Sequence, residues 1–330
     1  MSNVIHCKTH DGRSISFVDQ IIGSGAMKDV YFSPDKSYVV CFFNKQKNKF
    51  YSNPLEYQEQ KRRLLEIVTT KHDNLMNGMG GEYWKNTFCW PNGLVEYNNL
   101  LGIVAPSYSK EFFFEYGSSN NDSLNIKGKE KEGKWFASAS NQNRFLDDRE
   151  KGDWSKYLKI CVTLARSIRR MHAAGLAHSD LSYKNVLIDP TTGKACVIDV
   201  DGLVVPGKFP PEVVGTPDFI APEVIATSYL DKSDPKRFLP SIRTDRHALA
   251  VLIYMYLLYR HPLRGKKVHD LDDSLNDEKL SMGERALFVE HSTNNSNRIN
   301  TDDWKKSYLP WVDTNKIPYT VTRPYLSEKK

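Results

Sequence analysis

Cysteine is scarce and badly placed for chemistry in this chain: its 5 cysteines, Cys7, Cys41, Cys89, Cys161 and Cys196, are odd in number, scattered, and never form a Cys-x-x-Cys pair. That pattern excludes a disulfide framework and a structural zinc site, and leaves reduced thiols. Long apolar runs are also missing. The longest, Ala248 to Tyr259, falls well short of the roughly 20 residues that span a bilayer and reads as a buried core helix, so no membrane association is expected. Residues Met1 to Lys8 contain no basic segment followed by an apolar stretch, so no secretory signal is expected and the expected compartment is the cytoplasm. A dominant charge sign is lacking too. Lys and Arg number 46 against 40 Asp and Glu, a net +6 spread along the chain, with the densest stretch at Lys45, Lys47, Lys49 and then Lys61, Arg62, Arg63. These read as solvated faces, and no nucleic-acid partner is expected.

What is present is ordinary globular chemistry: 40% hydrophobic residues over 330 positions exclude a disordered chain and allow two domains with separate cores. Short runs rich in β-branched and aromatic residues, Ser14 to Ile22, Val30 to Phe32 and Tyr38 to Phe43, are punctuated by Gly23-Ser24-Gly25 and by Ser33 to Ser37, which predicts an antiparallel meander. Pro54 opens a helix over Leu55 to Val68, with Leu55, Leu64, Leu65 and Val68 facing inward, and two more strands follow at Gly93 to Tyr97 and Leu100 to Ala105. Residues 115–150 read as a long exposed loop or insertion. Tyr157, Ile160, Cys161, Leu164, Ile168 and Met171 then recur at helical spacing up to a Gly175 stop, and strands Val186 to Ile188 and Ala195 to Ile198 flank a Pro190–Gly193 turn.

Four separated segments carry chemistry. Gly23-Ser24-Gly25, between two strands, lets backbone N–H groups approach phosphate oxygens, although two glycines also make a plain hairpin turn. His178-Ser179-Asp180-Leu181-Ser182-Tyr183-Lys184-Asn185 places an Asn five residues after an Asp; this resembles the catalytic loop of protein kinases, where the Asp accepts a hydroxyl proton and the Asn holds a metal ion. Asp199-Val200-Asp201-Gly202 follows the next strand and supplies a second metal carboxylate. Gly215-Thr216-Pro217-Asp218-Phe219-Ile220-Ala221-Pro222-Glu223 looks like the end of a kinase activation segment, and Asp245 opens a helix similar to the kinase core helix, whose Asp ties down the catalytic-loop backbone.

Over residues 15–265 the chain therefore resembles eukaryotic-like (Hanks-type) serine/threonine protein kinases, and among them the bacterial kinases associated with tellurite-resistance clusters. The resemblance implies an α+β, two-lobed fold: a small antiparallel-sheet lobe over residues 1–105, a hinge at Pro106, Ser107 and Tyr108, and a mostly helical lobe over 109–330. It implies ATP with Mg²⁺ or Mn²⁺, bound with Gly23, Ser24, Gly25, Val30, Leu187 and the hinge, and Asn185 and Asp199 as metal ligands. Asp180 would be the base, Thr216 would carry Ser/Thr specificity, and Ala105 would be a small gatekeeper. Implied partners are a protein substrate, a phosphatase and a von Willebrand-type domain protein.

Several positions depart from the family pattern. Cys41 stands where a strand lysine belongs, although losing one charge-stabilising donor typically costs about 3–4 kcal/mol of transition-state stabilisation. Lys28, in place of the third glycine of the loop, resembles the with-no-lysine arrangement and is the expected phosphate cation; the alternative is a solvated turn lysine. Lys45 competes but sits about 13 Å further along the strand. The helix carboxylate that pairs with Lys28 is Glu56, Glu59 or Glu66, with Glu59 favoured as nearest the middle. Asp201 either assists Asp199 or is solvated. His178 and His172 read as structural.

Ser179 replaces the Arg that normally pairs with an activation-segment phosphate, and no Ser, Thr or Tyr lies between Val200 and Gly215. These two absences agree, and Thr216 is the nearest site left for modification. Ser182 replaces the catalytic-loop lysine, which leaves a nucleotide-binding pseudokinase and a small-molecule kinase as rival readings. The stretch from Trp304 to Lys330 has no periodic helix, which suggests a truncated end and leaves Glu223 only Arg285 or Arg298 as an arginine partner.

Overall fold

A computed structural model describes residues 3–25, 27–205, 208, 215–231 and 234–299. The stretch from Trp304 onward and most of the segment between Val205 and Gly215 lie outside the described residues. The chain divides into two compact units, residues 1–110 with 196–203, and residues 111–195 with 204–330.

In the first unit, β1 (Val4–Lys8) and β2 (Ser14–Val18) form an antiparallel hairpin. β3 (Gly23–Ser24), β4 (Lys28–Phe32), β5 (Tyr38–Phe43), β6 (Gly93–Tyr97) and β7 (Leu100–Pro106) form an antiparallel sheet in the order β3-β4-β5-β7-β6. The run expected as one strand over Ser14 to Ile22 is broken: β2 ends at Val18 and the chain enters the five-stranded sheet only at Gly23. Two-residue periodicity sorts β5 into two cores. Val40 and Phe42 pack with Ile15, Phe17, Val95 and Val104, whereas Phe43 packs with Leu64, Val68, Leu94, Leu101 and Ile103.

The second of these cores is roofed by α1 (Pro54–Glu66), which starts where the Asn53 side chain accepts from Leu55 N and Pro54 supplies a preset φ. The helix runs on through a π turn, Ile67–Lys71, into His72–Met76, and the Trp90 indole N–H donates to Ile67 O at 2.9 Å. Burying each large side chain there, such as Leu64 or Phe43, contributes about 1.5–3 kcal/mol. Leu55, expected inward, is 81% exposed because it lies off the stripe formed by Gln60, Arg63, Leu64 and Ile67. A second helix, α2 (Gly81–Thr87), was not legible as a helix in the sequence.

The second unit is mostly helical. In α3 (Trp154–Ala173) every apolar residue of the expected stripe is buried, and Gly175 ends it at φ 72°. α3 packs on α4 (Ile242–Leu258), which begins with a reciprocal capping box between Ser241 and Thr244. β8 (Val186–Asp189) is fully buried, and a turn closed by Gly193 N–H on Asp189 O leads to β9 (Lys194–Val197), which leaves this unit.

Residues 115–150, expected as an exposed insertion, are exposed over most of 120–130 but anchored at several points. Ile126, Phe136, Ala137 and Leu146 are buried, and Lys131 bridges Glu150 at 2.9 Å and Asp189 at 3.1 Å with all three side chains buried. Ile188 N donates to Lys131 O at 3.0 Å, which ties this segment to β8. A Cβ on Gly133 would meet Tyr256 Oη at 1.9 Å, so only glycine passes there. Among the described residues no helix is long and apolar enough to cross a membrane.

Candidate active site

Lys28 opens β4 opposite Phe43, and two residues on Val30 faces Cys41. Residues two apart on a strand share a face, so Lys28 lies diagonally across from Cys41, the position where the family's strand lysine would stand. Its Nζ rests over the Phe43 ring at 5.7 Å from the centroid. The same Nζ donates to Asp199 Oδ1 at 2.5 Å and to Asp201 Oδ1 and Oδ2 at 2.7 and 2.9 Å.

Burial opposes the lysine's charge, but the carboxylates of Asp201 and Asp199 outweigh it and hold the ammonium well above its ordinary value. Burial also pushes the Asp201 carboxyl up, against the pull of Lys28. The Cys41 thiol, buried in the same place, is pushed up to about 12 and stays neutral. Asp199 takes a left-handed backbone (φ 59°) that aims the turn, and its side chain remains 48% accessible.

The glycine turn is closed by Gly25 N–H on Lys28 O at 2.9 Å. Ser24 Oγ donates to Asp29 Oδ1 at 2.6 Å, and Lys47 Nζ donates to Ser24 Oγ and Gly25 O, both at 3.0 Å. Gly23 and Ser24 are exposed and paired with β4. Ala105 pairs with Val39 and Pro106 with Tyr38 across the sheet. Ser107 is held by its N–H on Ser37 O and its hydroxyl on Lys36 O, while burial raises the Tyr108 hydroxyl.

One expectation fails here. Glu59 is exposed on α1 and is not brought to Lys28, whose acidic partners come from the Asp199–Asp201 turn instead. Lys45 stays away from the site, as its distance along the strand implied: it is exposed and lies over Tyr51 at 5.9 Å. A second reading differs from the structure: Arg63, grouped with the solvated charges, is only 4% exposed and donates to Gly202 O at 2.7 Å and Leu203 O at 2.9 Å. Its spacing from Gln60, Leu64 and Ile67 places it on the buried stripe, which was the available signal.

In the second unit Asp180 is held by two residues. Thr216 N and Oγ1 donate to its Oδ1 at 2.6 and 2.9 Å, and Asn185 Nδ2 donates to its main-chain O at 2.7 Å and to Oδ2 at 3.1 Å. Thr216 Oγ1 also lies 3.3 Å from Ser182 Oγ. The loop itself is braced by buried Asp245, which accepts from His178 N at 2.7 Å and Ser179 N at 3.0 Å, with His172 Nε2 at 3.0 Å. Those two amides flank a Ser179 held at φ 68°, a conformation that needs such bracing. Leu187 is fully buried in β8. Among the described residues neither candidate arginine is seen on Glu223: Arg285 sits beside Glu284 at 3.9 Å and Arg298 donates to His291 O.

Each unit by itself offers oxygen donors of the kind a hard divalent cation takes. Asn185 spends its amide N–H groups on Asp180 and keeps its oxygen as an acceptor, and the accessible Asp199 carboxylate already holds an ammonium. Among the described residues no cluster of three or more His, Cys, Asp or Glu forms a metal cage. Mg²⁺ sites built on substrate phosphates and one or two carboxylates need none.

A model described as the protein kinase domain matches residues 132–307. The serine/threonine-protein kinase PknD of Chlamydia pneumoniae is 26% identical over 271 residues, covering 75% of this chain and 24% of that protein. A dual serine/threonine and tyrosine protein kinase of Apis mellifera is 31% identical over 85 residues, 26% of this chain and 9% of the other. The crystal structure of Rad53 1-466 in complex with AMP-PNP superposes with a TM-score of 0.46 at 17% identity, over 80% of this chain and 52% of that one. The chain thus spans about a quarter of the length of the chlamydial relative and less of the insect one. With more than half of its residues matched, this chain belongs to the protein kinase family.

Proposed function

We propose that this chain transfers the γ-phosphoryl group of ATP to Ser or Thr hydroxyls of a protein, its own included. Asp180 accepts the proton of the attacking hydroxyl, and Thr216, hydrogen-bonded to the same carboxylate, stands in for the missing loop lysine in orienting it. The ammonium of Lys28 serves the nucleotide phosphates in place of the strand lysine that Cys41 replaces. Gly23, Ser24 and Gly25 shape the lid, and Val30, Leu187 and the segment Pro106–Tyr108 receive the rest of the nucleotide. Asn185 and Asp199 would hold Mg²⁺ or Mn²⁺, which neutralises phosphate charge as transfer proceeds.

The observation that carries this reading is the pairing of Asp180 with Asn185 and Thr216, since residues of two separate motifs, the catalytic loop and the Gly215–Glu223 segment, meet at one carboxylate. The intact Asp180, Asn185 and Asp199 favour an enzyme over a pseudokinase. The Gly215–Glu223 segment favours a protein over a small-molecule acceptor. Radiolabelled phosphate transfer by the wild type and by Asp180→Ala tests it: equal signals from both would remove the enzyme reading. The sequence of the catalytic loop and of Asp199–Gly202 supports a place among the kinases of tellurite-resistance clusters, and with it a phosphatase and a von Willebrand-type domain protein as partners.

A further inference from the structure

Protein kinases normally tie their first helix to the nucleotide site through a helix carboxylate on the strand lysine. Here Lys28 takes both its carboxylates from the Asp199–Asp201 turn, and Glu59 stays in solvent. The helix nevertheless reaches that turn by another route. The Arg63 guanidinium, buried in the stripe of α1, donates to Gly202 O and Leu203 O, the carbonyls that directly follow Asp201. Next to it Leu64 packs in the same core as Phe43, the ring beneath the Lys28 ammonium. One turn of α1 therefore touches both the floor under Lys28 and the backbone that carries its two acidic partners.

We propose that Arg63 is a positioning residue: it fixes the Asp199–Gly202 turn from α1 and so sets where the metal-ligating carboxylate and the Lys28 counter-ion stand. A guanidinium suits the task because it is always charged and its terminal Nη2 carries two N–H donors in fixed, planar directions, so two successive carbonyls are satisfied by one buried nitrogen. The arrangement inverts the family's usual polarity, with a helix cation on turn carbonyls replacing a helix anion on a strand cation. The proposal rests on the kinase reading only in taking Mg²⁺ and adenine nucleotide as probes.

The test is calorimetric titration of the full chain with ADP, with and without Mg²⁺, for the wild type, Arg63→Met and Arg63→Lys, beside phosphate transfer by the wild type. Loss of a residue that orients a metal ligand typically weakens metal-dependent binding by about tenfold. Arg63→Met should lose about that much affinity for MgADP, keep its affinity for metal-free ADP, and be partly rescued as Arg63→Lys. If Arg63→Met does not fold, Arg63→Lys alone decides, because an ammonium lacks the fixed, planar donor directions of Nη2 and should still weaken MgADP selectively. Equal MgADP affinity in wild type and variants overturns the proposal. So does an equal loss with and without Mg²⁺, which marks a merely structural arginine. A wild type that binds MgADP but transfers no phosphate removes the kinase reading and leaves the Arg63 comparison to stand or fall on its own.

Discussion

Lys28 Nζ lies 2.7 Å from Asp201 Oδ1, so a lysine that begins a strand is neutralised by an aspartate brought beside it from more than a hundred and seventy positions further along the chain. Both side chains are shielded, at 18% and 9% exposure, and removing one partner of a shielded pair leaves the other charge uncompensated. Asp201→Asn should therefore lower unfolding free energy by about 3 kcal/mol at most, since Asp199 still contacts the lysine. Glu59→Gln, by contrast, changes an exposed residue and should leave both stability and kcat/KM within about twofold of the wild type. Urea unfolding and steady-state phosphate transfer check the two variants side by side.

The buried trio Lys131, Glu150 and Asp189 gives a second prediction. Glu150 also accepts from Tyr116 N and Gly117 N, and Asp189 from Thr191 and Thr192, so each carboxylate is nearly saturated around one ammonium. Lys131→Met leaves two anions buried together and should cost about 3–5 kcal/mol in urea unfolding. A loss below 1 kcal/mol, on the order of an exposed pair, would show that residues 115–150 are not anchored to β8 in this way.

How far the sequence carried follows from what each residue contacts. Strands β5, β6 and β7 were legible because β-branched and aromatic residues repeat with the pleat, and Asp180 with Asn185 because local spacing sets that contact. Arg63 was not, since its partners are backbone carbonyls far away in sequence and carry no side-chain signature. The pairing of Lys28 with Asp201 was hidden because 173 positions separate the two side chains and no local spacing sets the contact. The exposed part of residues 115–150 was legible from its polarity, but its anchors were not: the few buried apolar residues are too widely spaced for a periodic signal, and the Lys131, Glu150 and Asp189 network joins distant positions.

Acid should weaken the second unit through His261. Leu263 N–H donates to its Nδ1 at 3.2 Å, so that nitrogen is bare and Nε2–H donates to Asp218 O at 2.8 Å. Burial pushes the imidazole below its ordinary value, and burial does the same to His247. The unfolded chain binds these protons near pH 6.5 and the folded chain only at lower pH, so stability is intact above about pH 6.5 and falls as pH drops through the folded values. His261→Gln should make the urea midpoint less dependent on pH between about 7 and 5. An unchanged slope would count against a neutral, buried His261.

Gly215 sits at φ 116°, and a Cβ there would meet Ile220 Cγ1 at 3.3 Å and Ser179 O at 3.4 Å. Gly215→Ala strains the backbone by about 1–3 kcal/mol and shifts Thr216, both of whose donors serve Asp180. Misplacing that carboxylate should lower kcat by roughly a hundredfold with KM for ATP little changed. Stopped-time phosphate transfer over a range of ATP concentrations separates the two constants.

The central claim is that the phosphate cation has moved to position 28, and one measurement addresses it directly: phosphate transfer from radiolabelled ATP by the wild type, Lys28→Met and Lys45→Met. The ammonium of Lys28 meets Asp199 and Asp201, whereas that of Lys45 lies over an exposed-side tyrosine ring. Transfer should be abolished in Lys28→Met alone and persist in Lys45→Met. Activity retained by Lys28→Met, or lost only in Lys45→Met, would contradict it.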